Sequence, residues 1–361
     1  MINDLFLREN ITPQAQELDC SSTALKLALQ ALGDRAMLAL QVPLELGGAG
    51  WDELDYHSFQ IAIARASGAL AFLQTQHQSA VSQLAKSDNQ SLKQEYLPHV
   101  ARGKKLLGVG FSHLRRRGKP MITAVEVAGG YLLTGKVPWI TGWDFFDSFI
   151  IGAALPNGKE LYGMLPFQNS LPASEGSLIF SQPMELIAMS ATNTVSAKLD
   201  NWFLHRDRLV AIKPSGSIHR NSQKNILHHG FFALGCAYAG LDILQAMAEK
   251  KQLDFIHQSW RSLEEEVHSC DRAMLTSLTD KNTTYQQQLR LRTQAINLAQ
   301  RCSQGAIIVS SGAANYLNSA AGRIYREALV FSVSGQTTDV MEASLKAIIS
   351  NNTNSINVGN R

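Results

Sequence analysis

An aromatic ring and a hydroxyl group stand two residues apart near the middle of the chain, in the segment Trp139-Ile140-Thr141. A tryptophan face packs well against planar rings, and a threonine hydroxyl can donate a hydrogen bond to a ring nitrogen. The pair therefore has the chemistry to pack on and orient a planar cofactor. The alternative is an ordinary interior position, because a tryptophan in a β-domain is more often buried in the core.

Charged and titratable side chains offer the other candidate chemistry. The run Arg115–Arg117 forms either a solvated basic turn or a grip for an anion such as a phosphate or a carrier-protein surface. Histidine can exchange protons near neutral pH. The candidates for that role are His77, His113, His228 and His229. A histidine in a helix is nevertheless more often a surface residue or a hydrogen-bonded core residue than a catalytic one.

The composition excludes several classes of protein. Hydrophobic residues make up 45% of the 361 residues, and 33 Lys plus Arg nearly balance 30 Asp plus Glu. This is a globular composition, and the net charge of +3 gives no reason to expect a nucleic-acid partner. The gaps between the four cysteines fit no zinc pattern, so no metal site is predicted. Free thiols, no signal-peptide pattern and no apolar run of about 18 residues favour a cytoplasmic protein without a membrane span.

The hydrophobic patterns divide the chain into three parts. Helical spacing dominates residues 1–105, short β-branched runs separated by turn signals dominate 106–212, and helical spacing returns over 213–361. The polar segment 213–222 is predicted to be a linker. The fold class predicted is therefore α+β, with an N-terminal helical domain (1–105), a middle antiparallel β-domain (106–212) and a C-terminal helical domain (213–361).

The order of the segments resembles the acyl-CoA dehydrogenase superfamily over nearly the full length of the chain. The matching segments are 42–50, 67–80, 93–104, 131–141, 184–210, 231–244 and 323–328. The resemblance implies a β-barrel-like middle domain and a C-terminal four-helix bundle. It also implies FAD bound between these two domains and across a subunit interface, and hence a homodimer or a homotetramer.

The resemblance assigns the middle part of the site most directly. Trp139 and Thr141 match the pair that packs on and hydrogen-bonds the flavin ring. Ser112 stands in for a threonine of a loop that touches flavin and substrate, and Gly118 matches a glycine of the same loop.

The sequence departs further from the family pattern in its C-terminal part. Lys251 takes the place of an arginine that grips the FAD diphosphate, and Gly312 matches the glycine of a Gln-x-x-x-Gly site whose glutamine is replaced by Ile308. Thr337 matches the threonine of the family's Glu-Gly-Thr motif. The cofactor-binding residues predicted are therefore Ser112, Trp139, Thr141, Lys251, Gly312 and Thr337.

No catalytic residue is predicted. Removing the α-proton of an acyl thioester needs a base, and the family's usual glutamate aligns with Gly335, while its alternative position aligns near Asn225. Asp339 and Glu342 are near in sequence but are expected to face elsewhere. Within a monooxygenase hypothesis, His77 is the first candidate.

Three functions follow from this pattern. The first is an FAD-dependent oxidoreductase acting on the CH–CH group of an acyl thioester, carried by CoA or an acyl-carrier protein. The second is a monooxygenase on the same fold that receives reduced FMN or FAD from a reductase. The third is a homologue that keeps the fold without catalysis.

Overall fold

The computed structural model describes residues 5–171 and 176–353. It consists of two compact units. The helical unit comprises Met1–Gln16, Glu53–Ala71 and Ser222–Arg361, and the sheet unit comprises Glu17–Asp52 and Phe72–Asn221. Along the chain, helices are followed by a middle sheet and then by helices again, which confirms the predicted fold class. The domain boundaries at 105 and 212 stay a prediction.

The helices are α1 (Ala15–Cys20), α2 (Ser22–Asp34), α3 (Glu53–Ala66), α4 (Gly68–Ala85), α5 (Gln90–Val100), α6 (Ser217–Lys224), α7 (His228–Lys251), α8 (Asp254–Thr279), α9 (Tyr285–Ser310), α10 (Ala320–Val333) and α11 (Thr338–Thr353). The strands are β1 (Leu107–Gly110), β2 (Ile122–Val127), β3 (Gly130–Ile140), β4 (Ser148–Ala154), β5 (Glu160–Pro166), β6 (Ser177–Phe180), β7 (Val195–His205) and β8 (Leu209–Lys213).

The strands form one mostly antiparallel sheet in the order β6-β7-β3-β2-β4-β5-β8. β3 and β7 pair antiparallel, with Tyr131 opposite Leu204 and Ile140 opposite Val195. β1 pairs with β4 in parallel and lies off the main path. β3 and β7 have 11 residues each and pair in the middle of the sheet. Trp139 lies near the end of β3, and Thr141 directly follows that strand.

The core of the sheet unit joins two helices to the sheet. Val81 of α4, Leu97 of α5, Leu107 of β1 and Ile150 of β4 are fully or almost fully buried in one cluster. Burial of each such side chain stabilises the fold by roughly 1.5–3 kcal/mol before entropy is counted. The cluster fixes the start of the sheet and, with it, the loop that follows β1.

The core of the helical unit is built around α7, which packs against α3, α8, α9 and α10. Gly235 permits the close approach of α3, since an added Cβ would overlap the carbonyl of Ile61. By length and composition α7 is a candidate membrane span, but 72% of its apolar window is buried, as in a core helix. This evidence for a span is therefore weak.

The segment 213–222 is only partly a linker, and the prediction is wrong from Ser217 onward. α6 begins there, and the backbone N–H of Ile218 donates to the buried carboxylate of Glu160 at 3.0 Å. An acidic group at a helix N-terminus stabilises the first turn. The sequence pattern hides this because the partner carboxylate lies 58 residues away.

The four cysteines are free thiols. Cys20 is exposed, and the other three are buried in the helical unit: Cys236, Cys270 and Cys302. Burial raises the pKa of Cys270 and of Cys302 to about 12, so these two thiols are protonated and inert at neutral pH. The cytoplasmic location inferred from them stays a prediction.

Candidate functional site

The end of β3 presents an aromatic face beside a buried hydroxyl. The Trp139 side chain is 46% exposed, whereas Thr141 is 6% exposed. The Thr141 Oγ1 lies 2.9 Å from the Oγ1 of Thr194, so these two hydroxyls share a hydrogen bond. An exposed tryptophan at the end of a rigid strand is unlike the core position that is the alternative for this residue.

Two loops hold Thr141 in place. The backbone N–H groups of Gly142 and Trp143 donate to the carbonyls of Thr192 and Asn193 at 3.0 and 3.1 Å. Three residues of these loops have positive φ although they are not glycine: Asp144 (66°), Met189 (55°) and Asn193 (46°). Each such backbone costs about 1–3 kcal/mol, and strain of this kind clusters at functional sites. The loops are therefore held in place at some energetic cost.

The loop after β1 meets the same end of the sheet. A Cβ built on Gly110 would lie 3.3 Å from Cγ1 of Ile140, the residue between Trp139 and Thr141. Ser112 follows two residues later and is exposed. The structure thus brings Ser112, Trp139 and Thr141 to one edge of the sheet unit.

His113 adds a buried acceptor next to Ser112. Its Nε2 donates to the carbonyl of Gly152 at 2.9 Å, which leaves Nδ1 as an acceptor. That Nδ1 is buried and has no hydrogen-bond partner among the described residues. Burial, opposed by the bond to Gly152, lowers the pKa of His113 to about 4, so the ring is neutral at pH 7. A buried acceptor with no donor is uncommon and calls for a partner.

His77 is a core histidine and not a catalytic base, which corrects the sequence-based choice of this residue. Its Nδ1 accepts from the backbone N–H of Leu107 at 2.9 Å, and its Nε2 donates to the carbonyl of Val100 at 3.3 Å. Burial lowers the pKa of His77 to about 4, against the opposing effect of these backbone bonds. Both ring nitrogens are occupied by the fold, so neither can accept a substrate proton.

The arginine run 115–117 lies in and just after the turn Ser112–Arg115. Arg116 donates to the sulfur of Met121 at 3.5 Å, and Arg117 is exposed. Arg116 and Arg117 are exposed and fit a solvated basic turn, whereas Arg115 is half-buried, which lowers the pKa of its guanidinium. The anion-binding alternative stays a prediction.

Lys251 and Gly312 lie at the same end of α9 in the helical unit. The Lys251 Nζ donates to the carbonyl of Val309 at 2.7 Å, one turn before Gly312. A cation here satisfies the carbonyl end of α9 and complements its dipole. No atom lies within 4 Å of a Cβ built on Gly312, so the backbone is open to close approach. The ammonium of Lys251 therefore has a structural partner as well as its predicted role.

Thr337 lies at the other end of α9. Its hydroxyl accepts from the backbone N–H of Val340 at 3.3 Å and caps α11. Two residues on, the carboxylate of Asp339 accepts from the hydroxyl of Tyr285 at 2.6 Å, at the first residue of α9. The 26 residues of α9 span about 39 Å. One copy of the helical unit therefore does not bring Thr337 together with Lys251 and Gly312.

The residue at the corner position 335 is glycine, and the structure leaves no room there for a carboxylate side chain. Gly335 has φ +58°, and a Cβ built on it would overlap the ring of His229. The Nδ1 of His229 lies 2.9 Å from the hydroxyl of Ser334. An imidazole thus occupies the space beside residue 335, and it is oriented by a serine.

Arg292 fixes this corner. It is 2% exposed and donates to the carbonyls of Ile226, Ser334 and Gly335 at 3.0, 2.8 and 3.0 Å. A buried arginine is uncommon unless its guanidinium is hydrogen-bonded. Its five donors suit the convergence of several carbonyls.

Comparisons with known proteins agree with this architecture. The family model described as the N-terminal domain of acyl-CoA dehydrogenase matches residues 4–104. The chain is 25% identical over 255 residues to a 3-(aryl)acrylate reductase of Clostridium sporogenes, covering 68% of this chain and 67% of the relative. It is 26% identical over 201 residues to the mitochondrial isovaleryl-CoA dehydrogenase of Pongo abelii, covering 52% of this chain and 46% of the relative, about half its length. The structure of a glutaryl-coenzyme A dehydrogenase–glutaryl-CoA complex has the same fold, with a TM-score of 0.81, 18% identity and coverage of 100% of this chain and 95% of the other. The family model, the curated relatives and the solved structures all make the chain similar to acyl-CoA dehydrogenases.

Homologues in the acyl-CoA dehydrogenase superfamily are FAD-binding flavoprotein oxidoreductases. The site residues predicted for this chain stay predictions, divided between the sheet edge and the two ends of α9. Sequence reasoning missed Thr194, which bonds to the Thr141 hydroxyl, and it missed Arg292 and Ser334, which contact the corner at Gly335 and His229. Only Arg292 gave a signal, as a charge within the apolar spacing of α9.

Proposed function

We propose that the chain binds FAD and oxidises the CH–CH group of an acyl thioester. The observation that carries this proposal is the exposed Trp139 beside the buried Thr141 hydroxyl at the end of β3. The similarity to acyl-CoA dehydrogenases and the fold over the whole chain support the same reaction class. The substrate is proposed only as an acyl thioester, of CoA or of an acyl-carrier protein.

The residues at the sheet edge fit a flavin. Trp139 offers a ring face for packing, Thr141 offers a hydroxyl held by Thr194, and Ser112 offers a second hydroxyl on the adjoining loop. In the helical unit, Lys251 and the open backbone at Gly312 fit a diphosphate. When bound, the flavin would supply the acceptor for the hydride that leaves a C–H bond of the CH–CH group, while a base takes the proton from the neighbouring carbon.

The proton of that reaction needs a base, and His229 is the group that the Gly335 corner offers. If its Nδ1–H donates to the Ser334 hydroxyl, Nε2 is the basic nitrogen. A base oriented by a third group is the usual arrangement in proton transfer. The buried guanidinium of Arg292 holds the backbone on which this pair depends.

The absorption spectrum of the purified, desalted protein tests the proposal. We expect a flavin band near one equivalent that bleaches anaerobically when an acyl-CoA is added. Trp139→Ala should weaken flavin binding about tenfold, which corresponds to about 1.4 kcal/mol. Trp260→Ala, a half-buried tryptophan on α8, is the matched control and should leave binding unchanged.

A second candidate is the monooxygenase that uses reduced flavin supplied by a reductase. The glycine at 335 and the imidazole against it favour this candidate, because the usual carboxylate is absent. A protein that is colourless as purified but binds reduced FMN or FAD would support it and contradict the dehydrogenase. A protein that binds neither form of flavin would be a homologue without catalysis.

Exposed apolar stripes on α10 and α11 support a homo-oligomer. On α10 the exposed side chains are spaced by one turn, and on α11 they recur at helical spacing: Tyr325, Leu329, Val333, Met341, Leu345, Ile348 and Ile349. Contiguous apolar surface of this kind is typical of an interface. A second copy covering it would give the homodimer or homotetramer expected.

The molar mass in solution tests the oligomer. We expect at least twice the 39.6 kDa of one chain, and dissociation in Leu329→Glu. Leu317 is 92% exposed outside both stripes, so Leu317→Glu should keep the oligomer. A monomeric wild-type protein would refute the interface.

A further inference from the structure

One group of side chains in the helical unit has no role in the proposed reaction. Glu53 and His57 lie on the first turns of α3, and His228 is the first residue of α7. The Nε2 of His57 lies 3.1 Å from Oε2 of Glu53, and the Nε2 of His228 lies 3.9 Å from the same oxygen. One carboxylate and two imidazoles therefore converge from two packed helices.

The three residues differ in how firmly they are held. His57 is 1% exposed, and its ring stacks on Phe231 with the centroids 4.3 Å apart. The His228 ring lies 4.5 Å from the His57 ring, centroid to centroid. Glu53 and His228 are 56% and 34% exposed, so the cluster has a fixed inner ligand and an edge that water can reach.

We propose that Glu53, His57 and His228 bind a divalent transition-metal ion of the zinc class. Two imidazoles and one carboxylate suit such an ion and leave a position for water, whereas Mg²⁺ and Ca²⁺ prefer oxygen ligands. His57 is four residues after Glu53, so both face the same side of α3.

The geometry requires only a small adjustment. All three donor atoms lie within 4.8 Å of one another. Ligands about 2.1 Å from one ion stand no more than about 4.2 Å apart, and both distances to Glu53 already meet this limit. The exposed side chains of Glu53 and His228 can close the remaining gap without moving His57.

The site goes beyond the proposed flavin chemistry. An ion here would cross-link α3 to α7 within the helical unit. It would join His57 to His228, which are 171 residues apart in the sequence. The cysteine spacing that predicted no metal does not bear on these ligands. Without an ion, the same residues form a carboxylate–histidine hydrogen-bond cluster, which is the competing outcome.

Calorimetric titration of the tag-free, chelator-treated full chain with zinc chloride tests the proposal. We expect one equivalent to bind and the thermal midpoint to rise with zinc concentration. Glu53→Gln and His228→Ala, both on the water-facing edge, should each weaken binding by at least about a hundredfold, because even changes to residues that only hydrogen-bond to a ligand cost tenfold to a hundredfold. Magnesium chloride should not bind.

Two control variants separate this site from adventitious zinc. His219→Ala removes an exposed histidine and Cys20→Ser removes the exposed thiol, and both should bind zinc as the wild type does. Circular dichroism checks that each variant is folded. Zinc binding that is absent in the wild type, or unchanged in both Glu53→Gln and His228→Ala, would overturn the proposal.

Discussion

The loops around Thr141 in the sheet unit and the corner at Gly335 in the helical unit differ in the chemical groups that they present. The loops around Thr141 in the sheet unit keep the aromatic and hydroxyl groups that suit a flavin. The corner at Gly335 in the helical unit carries no carboxylate and is filled by the His229 ring.

The physical means of support also differ. The loops around Thr141 are held by the Thr141–Thr194 hydroxyl pair and by backbone hydrogen bonds from Gly142 and Trp143. The helical corner is held by a single buried guanidinium, that of Arg292. Two loops of one chain are thus positioned by different means, through a pair of hydroxyls in one and a buried guanidinium in the other.

The largest effect is expected from removing that guanidinium. Arg292→Ala leaves the carbonyls of Ile226, Ser334 and Gly335 without their charged donor, and should lower the free energy of unfolding by about 4 kcal/mol. Arg290→Ala, exposed on the same helix, should change it by no more than about 0.5 kcal/mol. Urea unfolding measures both variants. Equal losses in Arg292→Ala and Arg290→Ala would contradict a special role of Arg292 at the Gly335 corner.

Acid should weaken the sheet unit next. The pKa of His77 and of His113 is lowered from 6.5 to about 4, so the stability from burying each neutral ring is full above pH 6.5 and is lost as the pH falls toward 4. Each histidine should therefore lower the free energy of unfolding by about 3 kcal/mol at pH 4 relative to pH 7. Urea unfolding at pH 7, 5.5 and 4 should show the loss, and His77→Gln should reduce it. A flat profile would contradict the neutral, buried assignment.

Adding a side chain at position 335 should lower the free energy of unfolding by less than either of these changes. Gly335→Ala should lower the free energy of unfolding by about 2 kcal/mol, because of the positive φ and the overlap with His229. In a His229→Ala background the cost should fall to about 1 kcal/mol, the backbone part alone. A double-mutant cycle by urea unfolding measures the coupling, and additive costs would mean that the ring gives way freely.

The smallest effect is expected at the hydroxyl pair. Thr141→Val or Thr194→Val should each lower the free energy of unfolding by about 1 kcal/mol. The double variant should cost little more than either single one, since both remove the same bond. Thermal unfolding of the three variants provides the comparison, and fully additive losses would count against a shared bond.

Local pattern predicted the order of helices and strands, and it directed attention to Trp139 and Thr141. These are properties of neighbouring residues, so spacing carries them. The partner of Thr141 is Thr194, 53 residues later, and the groups held by Arg292 lie up to 66 residues away. Periodicity contains no information on such pairings.

His77 shows the limit most clearly. Its residue type suggests proton transfer, and only the backbone groups of Val100 and Leu107 reveal that both nitrogens are in use. The helix over Ser217–Lys224 was missed for the same reason, because the carboxylate that begins it belongs to β5. Burial and long-range hydrogen bonds determine the role of His77 and the start of this helix, and local residue spacing predicts neither of them.

The Gly335 corner also sets the order in which substitutions can be accepted over generations. A larger residue at 335 meets the ring at 229 at once, whereas a smaller residue at 229 leaves the glycine undisturbed. Changing position 229 first therefore avoids the clash, whereas changing position 335 first begins with it. The overlap therefore predicts that a glutamate at 335 is tolerated better after position 229 has become smaller than before.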